Sequence, residues 1–271
     1  MAVIDVLKRA CKEVYIQTLG FAGTPEGRRT FGRGAGGDLS TRIDLVAEKA
    51  VINTIRKSGL NATIIGEECG IIDLGGERKK GQKGFLVMDA VDGTTNATRG
   101  IPFYCCSLAF AAGFNIQSVT DAVVVDLVSG DMYYASKGQG AFLNGIRIMV
   151  RNSTGKDIVV GMNISAASQK TIERLLPLIL KAKHIRHFGA NALELCHFAR
   201  GLMDAYVDFR HKIRVTDMAA AYLIVMEAGG KLYSIDGSEL DSDLGFNARM
   251  SFLAVPNDRL FRRLAPDLGL A

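Results

Sequence analysis

No tryptophan occurs in the 271 residues, and aromatic side chains make up only 7% of them. A surface that stacks nucleic-acid bases interleaves aromatic rings with basic groups, so this composition argues against one. Charge points the same way. Thirty-three Lys and Arg against 28 Asp and Glu leave a formal net charge of +5, enough to steer a small anion and too slight for a polyanion-binding protein. No uncharged apolar run approaches the roughly 20 residues that a membrane span needs. The first segment spaces Ile4, Leu7, Cys11 and Val14 on one helical face and carries Asp5 among its apolar residues, which predicts a core helix rather than a signal peptide. Five cysteines, an odd number, include the adjacent Cys105 and Cys106 and no Cys-x-x-Cys. That argues against a disulfide frame or a thiolate zinc site and predicts reduced thiols in a cytoplasmic protein. Cys69 follows Glu67 and Glu68, whose charge is expected to raise its pKa and blunt its reactivity.

A linker is also missing. With 48% hydrophobic residues the chain can bury a large core, and its one long polar stretch, residues 75–83, reads as a solvated loop. Helical periodicity is expected at 2–19 and 42–58, and strands near 63–66, 84–89, 103–113, 120–127 and 131–135, with a tight hairpin at Asn144-Gly145. Strands then fall near 157–162, 184–188, 203–209, 230–234 and 250–255, interleaved with helices at 168–182, 191–200 and 216–228. Such a mixture predicts an α+β fold of stacked helix and sheet layers.

What the chain does have is acid at the ends of apolar segments. Phe85-Leu-Val-Met-Asp89-Ala-Val-Asp92-Gly93-Thr94-Thr95-Asn96 delivers two carboxylates, a bendable glycine and two threonines to one strand end. The oxygens of Asp89 and Asp92, with the Val91 carbonyl, can converge on a hard divalent cation, and the amides of Gly93 and Thr94 suit a phosphate if they open a helix. Taken alone this is equally a polar turn. Thr63-Ile-Ile-Gly66-Glu67-Glu68 is a second such strand. Asp38-Leu-Ser-Thr41-Arg-Ile-Asp44 precedes an amphipathic helix, and Val215-Thr216-Asp217 fronts an Ala-rich one, where an ordinary helix cap would explain Asp217 without any metal.

In this order the four segments resemble the metal-dependent phosphatase superfamily of inositol monophosphatase and fructose-1,6-bisphosphatase. Gly100-Ile-Pro102-Phe103, Glu227-Ala-Gly-Gly230 and Arg186-x-x-Gly189-Ala-x-Ala192 through Asp204-Ala-Tyr206 extend the likeness over nearly the whole chain. The context of His184, Arg186, Leu193-Glu194-Leu195 and Asp208-Phe-Arg210 looks closest to archaeal-type enzymes acting on both inositol monophosphate and fructose bisphosphate. Two positions depart from the family pattern. Ala90 replaces a common proline, which leaves the Asp89–Asp92 turn less preset, and Thr216 replaces a common tryptophan beside Asp217.

The resemblance implies a layered αβαβα sandwich with halves at 1–145 and 146–271 and the site between them. It implies that Glu67, Asp89 and the Val91 carbonyl hold one Mg²⁺, and that Asp89, Asp92 and Asp217 hold a second. Glu68 would stand behind them or serve a third ion, and Mn²⁺ is an alternative metal. Asp44 and Thr94 would orient and deprotonate the attacking water, while Gly93, Thr94 and Thr95 hold the phosphate. From strand parity rather than from the resemblance, Asp208, ending Tyr206-Val-Asp208, is expected to accept sugar hydroxyls, and Arg210, two residues on and on the same face, to meet a distal phosphate, with a plain ion pair as the alternative. Arg186, His187 and His211 read as surface or structural residues. Residues 32–38, dense in glycine, resemble a loop that closes on the metals, although a plain connector has the same composition. The expected partners are a phosphate-ester substrate and a second copy of the chain, without nucleic acid or membrane. A phosphoadenosine phosphate phosphatase and a weakly catalytic metabolite-binding protein are the competing readings. Against the latter, clustered acids without cations repel one another.

Overall fold

The computed structural model describes residues 1–75, 80–153 and 157–270. Its first layer is a helix pair, α1 (Val3–Thr18) and α2 (Arg42–Ser58), joined through a short ribbon of β1 (Thr30–Arg33) and β2 (Leu39–Thr41). α2 starts where it does because Thr41 and Asp44 cap each other's backbone amides, and it stops at Gly59 in the left-handed region.

Beneath this pair lies an eight-stranded sheet. It comprises β3 (Leu60–Gly66), β4 (Gly70–Asp73), β5 (Lys80–Asp92), β6 (Cys105–Ala111), β7 (Val119–Asp126), β8 (Met132–Ser136), β9 (Gly140–Leu143) and β10 (Ile146–Ile148). The strand order is β10-β9-β8-β7-β6-β5-β3-β4. Only β3 and β5 pair in parallel. The short helix α3 (Thr94–Arg99) leaves the end of β5, and Asn144-Gly145 turns the β9–β10 hairpin as expected.

The middle layer is α5 (Asn191–Ala199) and α6 (Val215–Glu227). From Met218 to Val225 every residue of α6 is buried, as a helix apolar on all sides must be when a sheet covers each flank. Its second flank meets a five-stranded sheet of β11 (Val159–Met162), β12 (His184–Arg186), β13 (Ala205–Arg214), β14 (Lys231–Ser234) and β15 (Arg249–Val255), in the order β12-β11-β13-β15-β14. Leu175 and Leu178 of α4 (Gln169–Lys181) and Leu260 and Leu264 of α7 (Asp258–Leu264) cover its far face. One apolar cluster runs from Val124 and Tyr133 through both middle helices to Tyr206 and Phe252. The layers are therefore αβαβα.

The differences from expectation are local. Residues 80–83 belong to β5 rather than to a loop, while 76–79 lie outside the described residues. The ribbon β1–β2, the four-residue β4 and the seven-residue α7 were not anticipated. Each is too short to show a period, and the segment joining β1 and β2 is mostly glycine.

Candidate active site

Parallel pairing sets Gly66 of β3 beside Met88 of β5, so the next residues, Glu67 and Asp89, stand side by side. Asp89 and Asp92 are an odd number of residues apart and would face opposite ways along a regular strand. The pairing with β6 slips between them: Asp89 lies opposite Ser107 and Asp92 opposite Cys105, so Ala90 and Val91 share the single partner Cys106. This bulge turns both aspartates to one face. That face is the one where Cys105 packs with α5 and α6, since Cys106 joins the core on the other side. Asp217 arrives from the first turn of α6, where Arg214, not Asp217, is the capping residue. Glu67, Asp89 and Asp217 each offer a carboxylate oxygen within 4.8 Å of the other two.

Hydrogen bonds orient the acids without neutralising them. Asp89 Oδ1 accepts the Val91 amide at 2.9 Å. Asp92 Oδ2 accepts the Ala192 amide at 2.7 Å, at the positive end of α5, and the Cys105 thiol lies 3.7 Å from the same oxygen. Burial raises the carboxyls of Asp89, Asp92 and Asp217 above the ordinary range. Burial and then the charge of Asp217 push Glu67 up to about 8, with Arg214 as a partial offset. An all-oxygen, electron-rich set of this kind fits a hard divalent cation such as Mg²⁺ or Mn²⁺.

Beside the cluster, Thr94 Oγ1 lies 2.9 Å from Asp44 Oδ1 and 3.0 Å from the Val91 carbonyl. A hydroxyl has one proton, so a cation on that carbonyl would commit the proton to Asp44. The other oxygen of Asp44 takes the Thr41 amide at 2.8 Å and the Thr41 hydroxyl at 2.7 Å. The helix cap thus fixes the carboxylate. Burial raises the pKa of Asp44 despite these bonds. Glu68 accepts the Ser40 hydroxyl, and burial raises it too. Burial and the charge of Glu48 raise Cys69, which agrees with a blunted thiol.

The glycine-dense segment rests on these acids. The Ala35 amide donates to the Glu68 carbonyl at 3.0 Å and the Gly36 amide to the Glu67 carbonyl at 2.8 Å. A Cβ on Gly34 would stand 2.0 Å from Glu68 Oε2, so a side chain there would clash with it. Arg214 fastens the segment further, donating to Glu67, to Asp38 at 2.6 Å and to the Gly36 carbonyl at 3.1 Å.

Glu67, Glu68, Asp89, Asp92, Asp217 and Arg214 line one cavity of about 710 Å³, with Gly93, Thr94, Thr95, Thr98, Arg28 and Arg99 also on its walls. Asp208 and Arg210 are brought to each other instead. Arg210 Nε lies 3.0 Å from both oxygens of the fully buried Asp208, and its Nη1 donates to the Ser165 carbonyl at 2.9 Å. Neither lines the cavity, and nor do Arg186, His187 and His211. Sequence reasoning missed Arg214, Cys105, Arg28 and Arg99. Arg214 had a signal, a cation three residues before Asp217 in a helix start; the other three depend on pairing register and loop packing.

A profile of the inositol monophosphatase family matches residues 4–265. The chain belongs to that family. It is a metal-dependent phosphatase. The fructose-1,6-bisphosphatase/inositol-1-monophosphatase of Methanothermobacter thermautotrophicus is 34% identical to this phosphatase over 271 residues, spanning 97% of this chain and 95% of the relative. The bifunctional NADP phosphatase/NAD kinase of Methanococcus maripaludis is 34% identical over 254 residues, which is 87% of this chain and 44% of that protein. Among solved structures, an inositol monophosphatase–fructose 1,6-bisphosphatase superposes with a TM-score of 0.85 at 28% identity, covering 99% of this phosphatase and 100% of that chain. No helix among the described residues is long and apolar enough to cross a membrane.

Proposed function

We propose that the protein is a Mg²⁺-dependent phosphomonoesterase acting on sugar and polyol phosphates, inositol monophosphate and fructose 1,6-bisphosphate among them. One observation carries the reading: three carboxylates converge within 4.8 Å next to a part-buried Thr94–Asp44 hydrogen bond. Glu67, Asp89 and the Val91 carbonyl would hold one ion, and Asp89, Asp92 and Asp217 another. When bound, such ions polarise the phosphate and make a water acidic enough to attack near neutral pH.

The chain's own groups do the rest. Thr94 donates to Asp44, which leaves its lone pairs to accept a hydrogen bond from the attacking water and aim it; the carboxylate behind it then takes the proton. The amides of Gly93, Thr94 and Thr95, at the start of α3 where no intrahelical acceptor exists, hold the phosphate oxygens. Glu68, anchored by Ser40, keeps a second acid close to the first ion.

Stripping the protein with EDTA should abolish phosphate release, and Mg²⁺ should restore it; activity that survives chelation defeats the reading. Nucleotide phosphates, phosphoadenosine phosphate or NADP⁺, are the second reading, favoured by the cavity size and by the NADP phosphatase relative. We also extend the family likeness to a cytoplasmic homodimer, which light scattering would report as about twice the 29.2 kDa chain.

A further inference from the structure

The cavity has a cationic wall that the metal cluster does not use. Arg28 comes from the segment between α1 and β1 and Arg99 from the last turn of α3, yet both line the cavity that holds the acids. Their meeting is built into the backbone. The Gly23 amide donates to the Ala97 carbonyl at 2.8 Å. Gly23 and Gly100 touch so closely that a Cβ on Gly23 would lie 3.1 Å from the Gly100 Cα. Arg28 Nη2 in turn donates to the Gly23 carbonyl at 2.9 Å, and its Nε lies 3.3 Å from the Thr24 carbonyl. Its guanidinium is thereby anchored on Gly23, whose backbone touches Gly100, the residue that follows Arg99.

Neither arginine has a carboxylate partner among the described residues. Arg214 on the same cavity and Arg210 behind Asp208 are, by contrast, each tied to an acid. Two guanidinium groups without a carboxylate on the wall of one cavity form a site for an anion with several oxygens. Helix α3 measures its distance from the metals: it starts at Thr94, beside the acids, and Arg99 lies five residues on, roughly 7–8 Å along the axis at about 1.5 Å per residue.

We propose that Arg28 and Arg99 form a second-anion subsite and determine specificity, so that the preferred substrates carry a second phosphate or pyrophosphate remote from the ester that is cleaved. This deepens the proposed phosphatase reading and rests on it. It moves the distal phosphate from Arg210, which already has a partner, to a pair that has none. The shared chemistry has two sources, the far phosphate of a sugar bisphosphate and the pyrophosphate of a dinucleotide phosphate.

The test compares kinetics on fructose 1,6-bisphosphate, NADP⁺ and inositol 1-phosphate for the Mg²⁺-loaded parent protein and for Arg28→Ala, Arg99→Ala and Arg210→Lys. Loss of one charge-assisted contact should raise KM about tenfold or more on a substrate with the second anion, and leave inositol 1-phosphate within about twofold. Arg99→Lys should recover part of the loss. A rise on the bisphosphate alone assigns the subsite to sugar phosphates, and a rise on NADP⁺ alone assigns it to dinucleotides. Equal losses on all three substrates, or a selective loss in Arg210→Lys with the two alanine variants unaffected, would overturn the proposal. If the parent protein cleaves no ester, the phosphatase reading fails separately. The subsite is then judged by calorimetric titration of fructose 1,6-bisphosphate, where equal affinity of parent and Arg99→Ala sinks it.

Discussion

At Asp89, burial and then the charges of Glu67, Asp92 and Asp217 push the carboxyl up, and among the described residues the Arg214 guanidinium bonds Glu67 alone of the four acids, whereas the fully buried Asp208 meets Arg210 one to one. Both arrangements take charge out of water, which costs several kcal/mol per ion unless partners compensate. In the second the compensation is complete: a forked guanidinium covers both carboxylate oxygens, and a carbonyl takes the remaining donor. In the first it is only partial, Arg214 offsetting Glu67 in part, and the chain tolerates raised carboxyls instead. Buried charge that is matched locally points to architecture, and buried charge left unmatched points to something the protein binds. That difference separates the metal cluster from the Asp208–Arg210 pair more firmly than residue type does, since both are built from aspartate.

Asp89→Asn should break the comparison at its centre. Asp89 contacts both proposed ions, so kcat should fall on the order of 10³-fold or more, several kcal/mol of transition-state stabilisation. The same variant should melt at a higher temperature than the parent when divalent ions are chelated, because it removes repulsion. The sign follows from linkage. Glu67 holds its proton in the folded state up to about pH 8, while the unfolded chain releases it near the ordinary value of 4.5. The metal-free protein therefore keeps this stability below about pH 4.5 and loses it as the pH climbs to about 8. Melting curves at pH 5 and 8 with EDTA, and again with Mg²⁺, would check it. A chelated parent equally stable at both, beyond what Asp89→Asn shows, contradicts the unmatched-charge account.

Thr94→Ala comes next. Losing the hydroxyl that aims the water should lower kcat by roughly 10² to 10⁴ with little change in KM, and Thr94→Ser should retain much of the rate. Alanine as active as serine would remove Thr94 from the chemistry.

Arg210→Ala tests the matched side. It strands Asp208 in the core, so it should destabilise the protein by about 3–5 kcal/mol, while inositol 1-phosphate turnover in the folded fraction stays near the parent's. Urea unfolding gives the first number and phosphate release the second. A mild stability loss with a large kcat loss would make the pair part of the machinery.

How far this was legible from sequence depends on the range of the interaction. Glu67, Asp89, Asp92 and Asp217 were readable because acids at the tips of apolar segments have few structural uses, and the layer order followed from the α/β alternation. The bulge that points Asp89 and Asp92 to one face was not, since it arises from pairing with Cys105–Ser107, set by a strand partner rather than by neighbours in the chain. Arg210 was aimed at the substrate by strand parity alone. Parity gives a face; only the tertiary fold shows that Asp208 already occupies the guanidinium. Arg28 and Arg99 are 71 residues apart, and their segments are joined by a glycine contact with no sequence period.

Glu194 lies between the two extremes and gives the smallest and most discriminating prediction. It is fully buried in α5; one oxygen accepts the Phe188 and Gly189 amides at 3.1 and 3.0 Å, and the other has no hydrogen-bond partner among the described residues. Burial pushes its pKa up to about 7, with those amides and Arg210 pulling the other way. The acid is therefore neutral at pH 5 and charged at pH 8. Glu194→Gln keeps an acceptor for both amides and cannot ionise. By the linkage sign above, it should be nearly neutral toward stability at pH 5 and stabilising by up to about 3 kcal/mol at pH 8, with Mg²⁺ present at both so that the metal cluster does not contribute. A glutamine variant less stable than the parent at pH 8 would mean that the charge has a partner after all, and would place Glu194 with the matched pair around Arg210 rather than with the unmatched acids.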